Sequence, residues 1–267
     1  MRKGEPVFEL NGVCYSYARD RVALEDISLR VDSGDSVAVL GANGSGKSTL
    51  LKIMDGLIFP SSGTIRAFGR ALSEGALELN RSEFARYFRR RVGMVFQDAD
   101  SQLFCPVVRE EVSFAPLQLG LSQEETERRV EDMLSLLRIS DLKGRNPQAL
   151  SEGEKRKVAI ASVISADPDV LLLDEPSSDL DPRTRAWLRE FLRELRCNGK
   201  TIVTATHDLE LASETSERCV VLNEQHRIVG SGRTEEVLSD KGLLLEANLI
   251  YEHGDVAGAP LRSHPHA

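Results

Sequence analysis

The chain is poor in cysteine, in long apolar runs and in excess positive charge, and each shortage closes off a class of protein. Its four cysteines, Cys14, Cys105, Cys197 and Cys219, are scattered with no C-x-x-C pair and no metal-ligand spacing. Neither a disulfide framework nor a structural zinc site is expected, and reduced thiols fit a reducing compartment. The longest apolar stretches, such as VLLLD and SVAVLG, fall far short of the about 20 residues needed to cross a bilayer. The N-terminus carries no apolar signal core, so any role at a membrane is expected to run through partner proteins. With 42 acidic against 34 basic residues and a formal charge of −8, the chain does not look like a nucleic-acid binder. The local run Arg86, Arg89, Arg90, Arg91 reads as a solvated helix face. There is also no internal repeat.

What remains is a chain of 267 residues, ample for a well-buried core. Residues 7–15 and 27–31 alternate as half-buried antiparallel strands do, and residues 36–40 read as a buried strand running into glycines. Further strands are expected at 64–68, 92–96, 170–173, 201–206 and 219–222, separated by helical patterns. This predicts an α/β fold with a mixed central sheet, an antiparallel β layer and an inserted helical subdomain. Residues 1–97 and 167–245 are assigned to the core with its N-terminal β layer, 98–166 to the helical insert, and 246–267 to a short C-terminal tail. Ser122 with Glu125 and Ser151 with Glu154 have capping-box spacing and mark two helix starts within the insert.

GANGSGKST, residues 41–49, fits G-x-x-x-x-G-K-[ST] in its required setting, directly after a strand and opening a helix. Gly41, Asn43, Gly44, Ser45, Gly46 and Thr49 build a loop whose amides can surround phosphates. Lys47 places a cation at the outer phosphates, and Ser48 offers a hydroxyl to Mg²⁺. Four apolar residues then end in Asp174, a second metal-side group. Glu175 follows, placed to orient or deprotonate an attacking water.

With LSEGE at residues 150–154 just ahead of VLLLDEPSSDLD, the sequence resembles the ATP-binding cassette family from residue 7 to about 245. The resemblance implies a P-loop NTPase cassette that hydrolyses ATP with Mg²⁺. Two cassettes, identical or merely similar, would sandwich two ATP molecules, with Ser151 and Gly153 of one facing the γ-phosphate held by the other. It implies further that Gln97 contacts Mg²⁺ and water and senses a transmembrane partner, that His207 contacts the γ-phosphate, and that residues 177–181 cross the dimer interface. Tyr17 would stack on adenine, with Tyr15 the competing candidate. Glu152 and Glu154 stand where the family commonly has Gly and Gln. They are expected to point away from the anion or to pair with Lys155 or Arg156.

FQDADSQLFCPVVREEVSFAPLQLGLS, residues 96–122, resembles the ATPases of energy-coupling-factor importers of the cobalt and nickel type, departing from them at Asp98, Ala99 and Ala115. The partners so implied are a transmembrane coupling protein, docked in a groove beside Gln97, and a substrate-binding membrane subunit. The cassette would then sit peripherally on the cytoplasmic face of the cell membrane and never touch the substrate. A vitamin importer that shares the coupling module is the alternative. Exporter-type and soluble non-transport cassettes stand behind it. His253, His264 and His266 fall in the tail and are expected to be inert.

Overall fold

The computed structural model describes residues 4–18, 21–78 and 82–251; the tail histidines lie outside them. A four-stranded antiparallel sheet in the order β2-β1-β4-β5 is built from β1 (Pro6–Ala18), β2 (Arg21–Asp32), β4 (Ser62–Ala67) and β5 (Arg70–Ala71). A six-stranded sheet in the order β10-β9-β3-β8-β7-β6 holds β3 (Ser36–Leu40), β6 (Val92–Val95), β7 (Val170–Asp174), β8 (Thr201–Thr206), β9 (Arg218–Leu222) and β10 (Ile228–Arg233). Its strands run parallel except β10, which pairs antiparallel with β9 at the edge. The expected strands are all present. β10 escapes a sequence reading because its IVGSGR carries two glycines and stays partly exposed.

The second sheet is covered on both faces, and this explains the unbroken apolar runs of β3 and β7. Along β7, Val170 and Leu172 pack into one cluster while Leu171 and Leu173 pack into another. Alternate side chains of a strand leave opposite faces, so a strand buried on both sides needs an apolar residue at every position. On the first side lies the helix that follows the phosphate loop, α1 (Lys47–Met54), which buries Leu50, Leu51, Ile53 and Met54 together with the inner face of the antiparallel layer. α2 (Glu74–Glu78) and α3 (Glu83–Arg91) follow, with Leu77, Phe84 and Phe88 in the same cluster. Arg91 departs from the solvated face expected of it. It pairs with Asp169 at 3.1 Å and lies 4.4 Å over the Tyr87 ring, so it ties α3 to the sheet.

On the second side pack α4 (Val108–Gln118), α5 (Gln123–Leu136), α6 (Glu152–Ile164) and α7 (Pro182–Cys197). Val108, Val112, Val130, Leu134, Val158 and Leu188 share one cluster with Leu171, Leu173 and Ile202 of the sheet, so the inserted helices have no separate core. Within the insert, helix begins at Val108, because residues 97–107 form a loop fastened by two side chains. Gln102 accepts from the Phe96 amide at 3.1 Å and donates to Ala159 O at 2.9 Å. Glu111 accepts the amides of Phe104 and Cys105 at 2.9 and 2.7 Å. α8 (Leu209–Thr215), α9 (Thr234–Ser239) and α10 (Lys241–Glu246) close a third cluster with β9. The fully buried Ala247 and the packed Leu249 carry the ordered chain past residue 245.

Candidate functional site at the phosphate loop

Gly46 precedes α1 with φ 106°, and a Cβ there would come within 2.2 Å of the Ala23 carbonyl oxygen. Glycine is the residue that permits both this conformation and the approach of the antiparallel layer. No side chain caps α1, and its first turn carries no acid. Its leading amides and positive dipole end are thus left for an anion. Within the loop, Ser45 Oγ is buried without a hydrogen-bond partner, a polar atom that a phosphate oxygen would satisfy.

Lys47 is folded onto the loop. Its Nζ donates to Gly41 O at 2.8 Å and Ala42 O at 3.1 Å, and lies 3.1 Å from Glu175 Oε1 in a buried ion pair. That carboxylate oxygen accepts no hydrogen bond of good geometry, so the pair is held by charge. Glu175 itself has φ 42°, an uncommon conformation, and its amide donates to Ala205 O at 2.8 Å. Its Oε2 lies 3.0 Å from His207 Nδ1 and 3.3 Å from Thr206 Oγ1. One carboxylate therefore joins the lysine of the loop to the histidine that follows β8.

Ser48 Oγ donates to Asp174 Oδ1 at 2.9 Å, which brings together the hydroxyl and carboxylate expected of a metal site. Burial pushes the Asp174 carboxyl above its ordinary range, and the Ser48 bond partly offsets this. Two hard oxygens suit Mg²⁺, a cation commonly held by one or two protein groups together with phosphates and water. Among the described residues no cluster of three or more His, Cys, Asp and Glu could hold a metal unaided.

Gln97 is exposed just beyond β6, and its backbone is held by a residue that the sequence suggested only as a partner for Glu152 or Glu154. Arg156, buried in α6, donates to Phe96 O at 2.6 Å and Gln97 O at 2.5 Å. Burial holds its guanidinium below its ordinary proton affinity. Gln97 then lines a cavity of about 430 Å³ with Tyr17, Asn43, Lys47, Ser48 and Glu175. Tyr17 is half exposed at its edge and bonds Thr49 through its hydroxyl at 3.2 Å. Tyr15 meets Tyr17 edge-on at 5.0 Å and packs against the core. Of the two rings, Tyr17 is the one that borders the cavity. His226 also lines this cavity, its Nδ1 3.3 Å from Ser45 O. It stands in the turn between β9 and β10 with φ 62°, and no motif marks it.

Ser151 and Gly153 lie apart, on a second cavity of about 460 Å³ shared with Lys157, Asp181, Thr184 and Trp187. Ser151 caps α6 in a complete capping box with Glu154. The two acids do not behave alike: Glu152 pairs with Lys155 at 3.1 Å, as expected, whereas Glu154 turns back onto Ser151 and pairs with neither Lys155 nor Arg156. Gly153 makes room for α7, since a Cβ there would sit 3.1 Å from Thr184 Oγ1. In the loop 177–181, Ser177 Oγ bonds Asp208 Oδ2 at 3.1 Å, and Asp181 caps α7.

The chain is similar to known proteins over most of its length. The family model described as ABC transporter matches residues 24–178. A putative ABC transporter ATP-binding protein of Methanosarcina acetivorans is 49% identical, over 94% of this chain and 92% of its own. A nickel import ATP-binding protein of Rhodobacter capsulatus is 44% identical over 92% of this chain and 96% of its own. Among solved structures, cbiO1 of Clostridium perfringens, part of an ABC transporter complex, superposes with a TM-score of 0.76 at 33% identity, covering 92% of this chain and 95% of that one. A dimeric ATP-binding cassette with ADP and Pi gives 0.75 at 26% identity, covering 85% and 98%.

Proposed function

The chain belongs to the ABC transporter ATPases, ATP-hydrolysing cassettes that dimerise and work with membrane subunits, and from that premise we propose that it powers an energy-coupling-factor importer for cobalt or nickel. The observation that carries this reading is an apolar groove on the helical insert. Phe104 is 65% exposed, Phe114 42% and Leu117 49%, and the two phenylalanine rings meet at 4.8 Å. Phe114 and Leu117 border a cavity of about 820 Å³ with Cys105, Val107 and Thr126. Large aromatics left in water beside a concave wall suit a short apolar helix of a partner. Among the described residues no helix is long and apolar enough to cross a membrane. The cassette would therefore reach the cytoplasmic face of the membrane through that partner.

The chemistry follows from the contacts above. ATP would enter with adenine against Tyr17 and phosphates over the amides of residues 44–49. Lys47 would exchange Glu175 for the outer phosphates, which releases the carboxylate to orient or deprotonate a water. Ser48 and Asp174, with Gln97 nearby, would hold Mg²⁺, which when bound neutralises charge across the phosphates. His207, bonded to Glu175, fixes its rotamer and would reach the γ-phosphate. Ser151 of a second cassette would complete the site, and hydrolysis would reopen the pair.

The test is purification of the tagged chain from detergent-solubilised native membranes, with identification of every bound protein. A small multi-helix coupling protein and a substrate-binding membrane subunit are expected. Recovery with a paired permease, or with ribosomes or DNA and no membrane chain, would overturn the choice of importer. A vitamin-binding membrane subunit would overturn the choice of metal.

A further inference from the structure

At the start of α6 the hydroxyl of Ser151 has no proton left to give. Its Oγ donates to Glu154 Oε2 at 2.7 Å, the Ser151 amide donates to the same oxygen at 2.9 Å, and the Glu154 amide returns to Oγ at 3.4 Å. A serine hydroxyl carries one proton, and an ionised carboxylate only accepts. A phosphate oxygen is also an acceptor. Phosphate and Glu154 therefore want the same proton, and their negative charges oppose each other. Glutamine in place of Glu154 would preserve the capping box, but its amide can donate to Oγ and leave the hydroxyl proton free to face outward. The Ser151 bonds also hold the Glu154 carboxyl below the usual carboxylate range, so protonation does not relieve the competition near neutral pH.

One turn along α6 lies a place for the displaced carboxylate. Lys157 and Arg145 both act on Glu154 by charge. Lys157 sits 4.7 Å over the Trp187 ring, and burial, followed by the charges of Arg183 and Arg138, holds its ammonium below its ordinary proton affinity. Asp181 acts on it in the opposite direction but less strongly than the two arginines, so the ammonium remains a favourable destination for a carboxylate. Glu152 has no such freedom, because Lys155 already holds it and Asp100 together.

We propose that Glu154 is a built-in competitor for the Ser151 hydroxyl, released onto Lys157 when the phosphate held by the opposing cassette arrives, and that this exchange sets the ATP concentration at which two cassettes close. The inference rests on the reading that Ser151 completes a site in trans. It makes Glu154 a positioning residue, acting through Ser151.

The chain carrying Glu175→Gln, expected to leave bound ATP unhydrolysed, provides the background, and sedimentation velocity with Mg-ATP reads the concentration for half-dimerisation. Adding Glu154→Gln should lower that concentration by about tenfold, the scale of one hydrogen bond to a charged group. Glu154→Ala, which removes the carboxylate without supplying a donor, should lower it as well, and Ser151→Ala should raise it. Lys157→Met should raise it with Glu154 present and have no effect once Glu154 is Gln, as coupled residues require. If Ser151→Ala changes nothing, the trans reading falls and the competitor with it. If Ser151→Ala raises the concentration while both Glu154 variants leave it unchanged or raise it, the competitor alone is overturned.

Discussion

Lys47 Nζ stands 3.1 Å from Glu175 Oε1, and both side chains are almost wholly buried, at 5% and 4% exposure. The residue proposed to bind phosphate and the residue proposed to activate water thus neutralise each other where solvent barely reaches. Removing one member of a buried pair leaves the other uncompensated, and this gives each substitution two separable effects.

Lys47→Ala is expected to weaken ATP binding by about 10- to 150-fold, corresponding to roughly 1.5–3 kcal/mol for a charged phosphate contact. Without nucleotide it should also lower the melting temperature, because Glu175 loses its cation. Combining it with Glu175→Gln should recover part of that loss without restoring ATP binding. Equilibrium nucleotide titration and thermal melts of the two variants separate these effects.

Glu175→Gln keeps the side-chain shape and removes the charge. Hydrolysis should fall by about 100- to 10,000-fold, the usual contribution of a positioned general base. ATP should stay bound and hold a dimer visible by size-exclusion chromatography with Mg-ATP. A strictly monomeric protein under those conditions would contradict the sandwich.

Tyr17→Ala and Tyr15→Ala should fail in different ways. Loss of the ring at the cavity edge removes base stacking worth about 1–3 kcal/mol, which raises the KM for ATP and leaves the melting temperature nearly unchanged. Loss of the core-packed Tyr15 ring should cost about 2 kcal/mol of stability and leave the KM close to wild type. Steady-state kinetics beside thermal melts decide between the rings.

Asp55, at the C-terminal end of α1, predicts a pH dependence. Burial raises its carboxyl from 3.8 to about 7, opposed by the charge of Arg89. The folded chain then holds a proton that the unfolded chain has released, so folding stability falls as pH rises from about 4 to about 7, and the loss is complete above that. Asp55→Asn should remove this decline. Its melting temperature should exceed that of the wild type at pH 8 and converge with it near pH 4.

How far the molecule can be read from its residues depends on whether each signal is local. The phosphate loop, its lysine and the acidic pair ending β7 are legible because backbone, charge and spacing all act within a few residues. The strands of the central sheet are legible because burial on both faces demands continuous apolar runs. Arg156 is not legible as the clamp of Gln97, since its partners are carbonyls about 60 residues earlier. His226 reaches the phosphate loop from a turn 181 residues away in sequence. The start of α4 is not legible, because Gln102 and Glu111 fasten the irregular loop ahead of it by side-chain bonds that no periodicity records.

The single core beneath the insert has a mechanical meaning. Leu171 and Leu173 of β7, which ends at Asp174 and leads into Glu175, pack in the same cluster as Val108 and Val112 of α4, the helix that carries Phe114 at the groove. A close-packed interior is nearly incompressible, so under the proposed function a partner pressing on that groove would also load the strand that ends at Asp174. Docking and hydrolysis would then share one packed core, and a cavity cut at Val112 would loosen both.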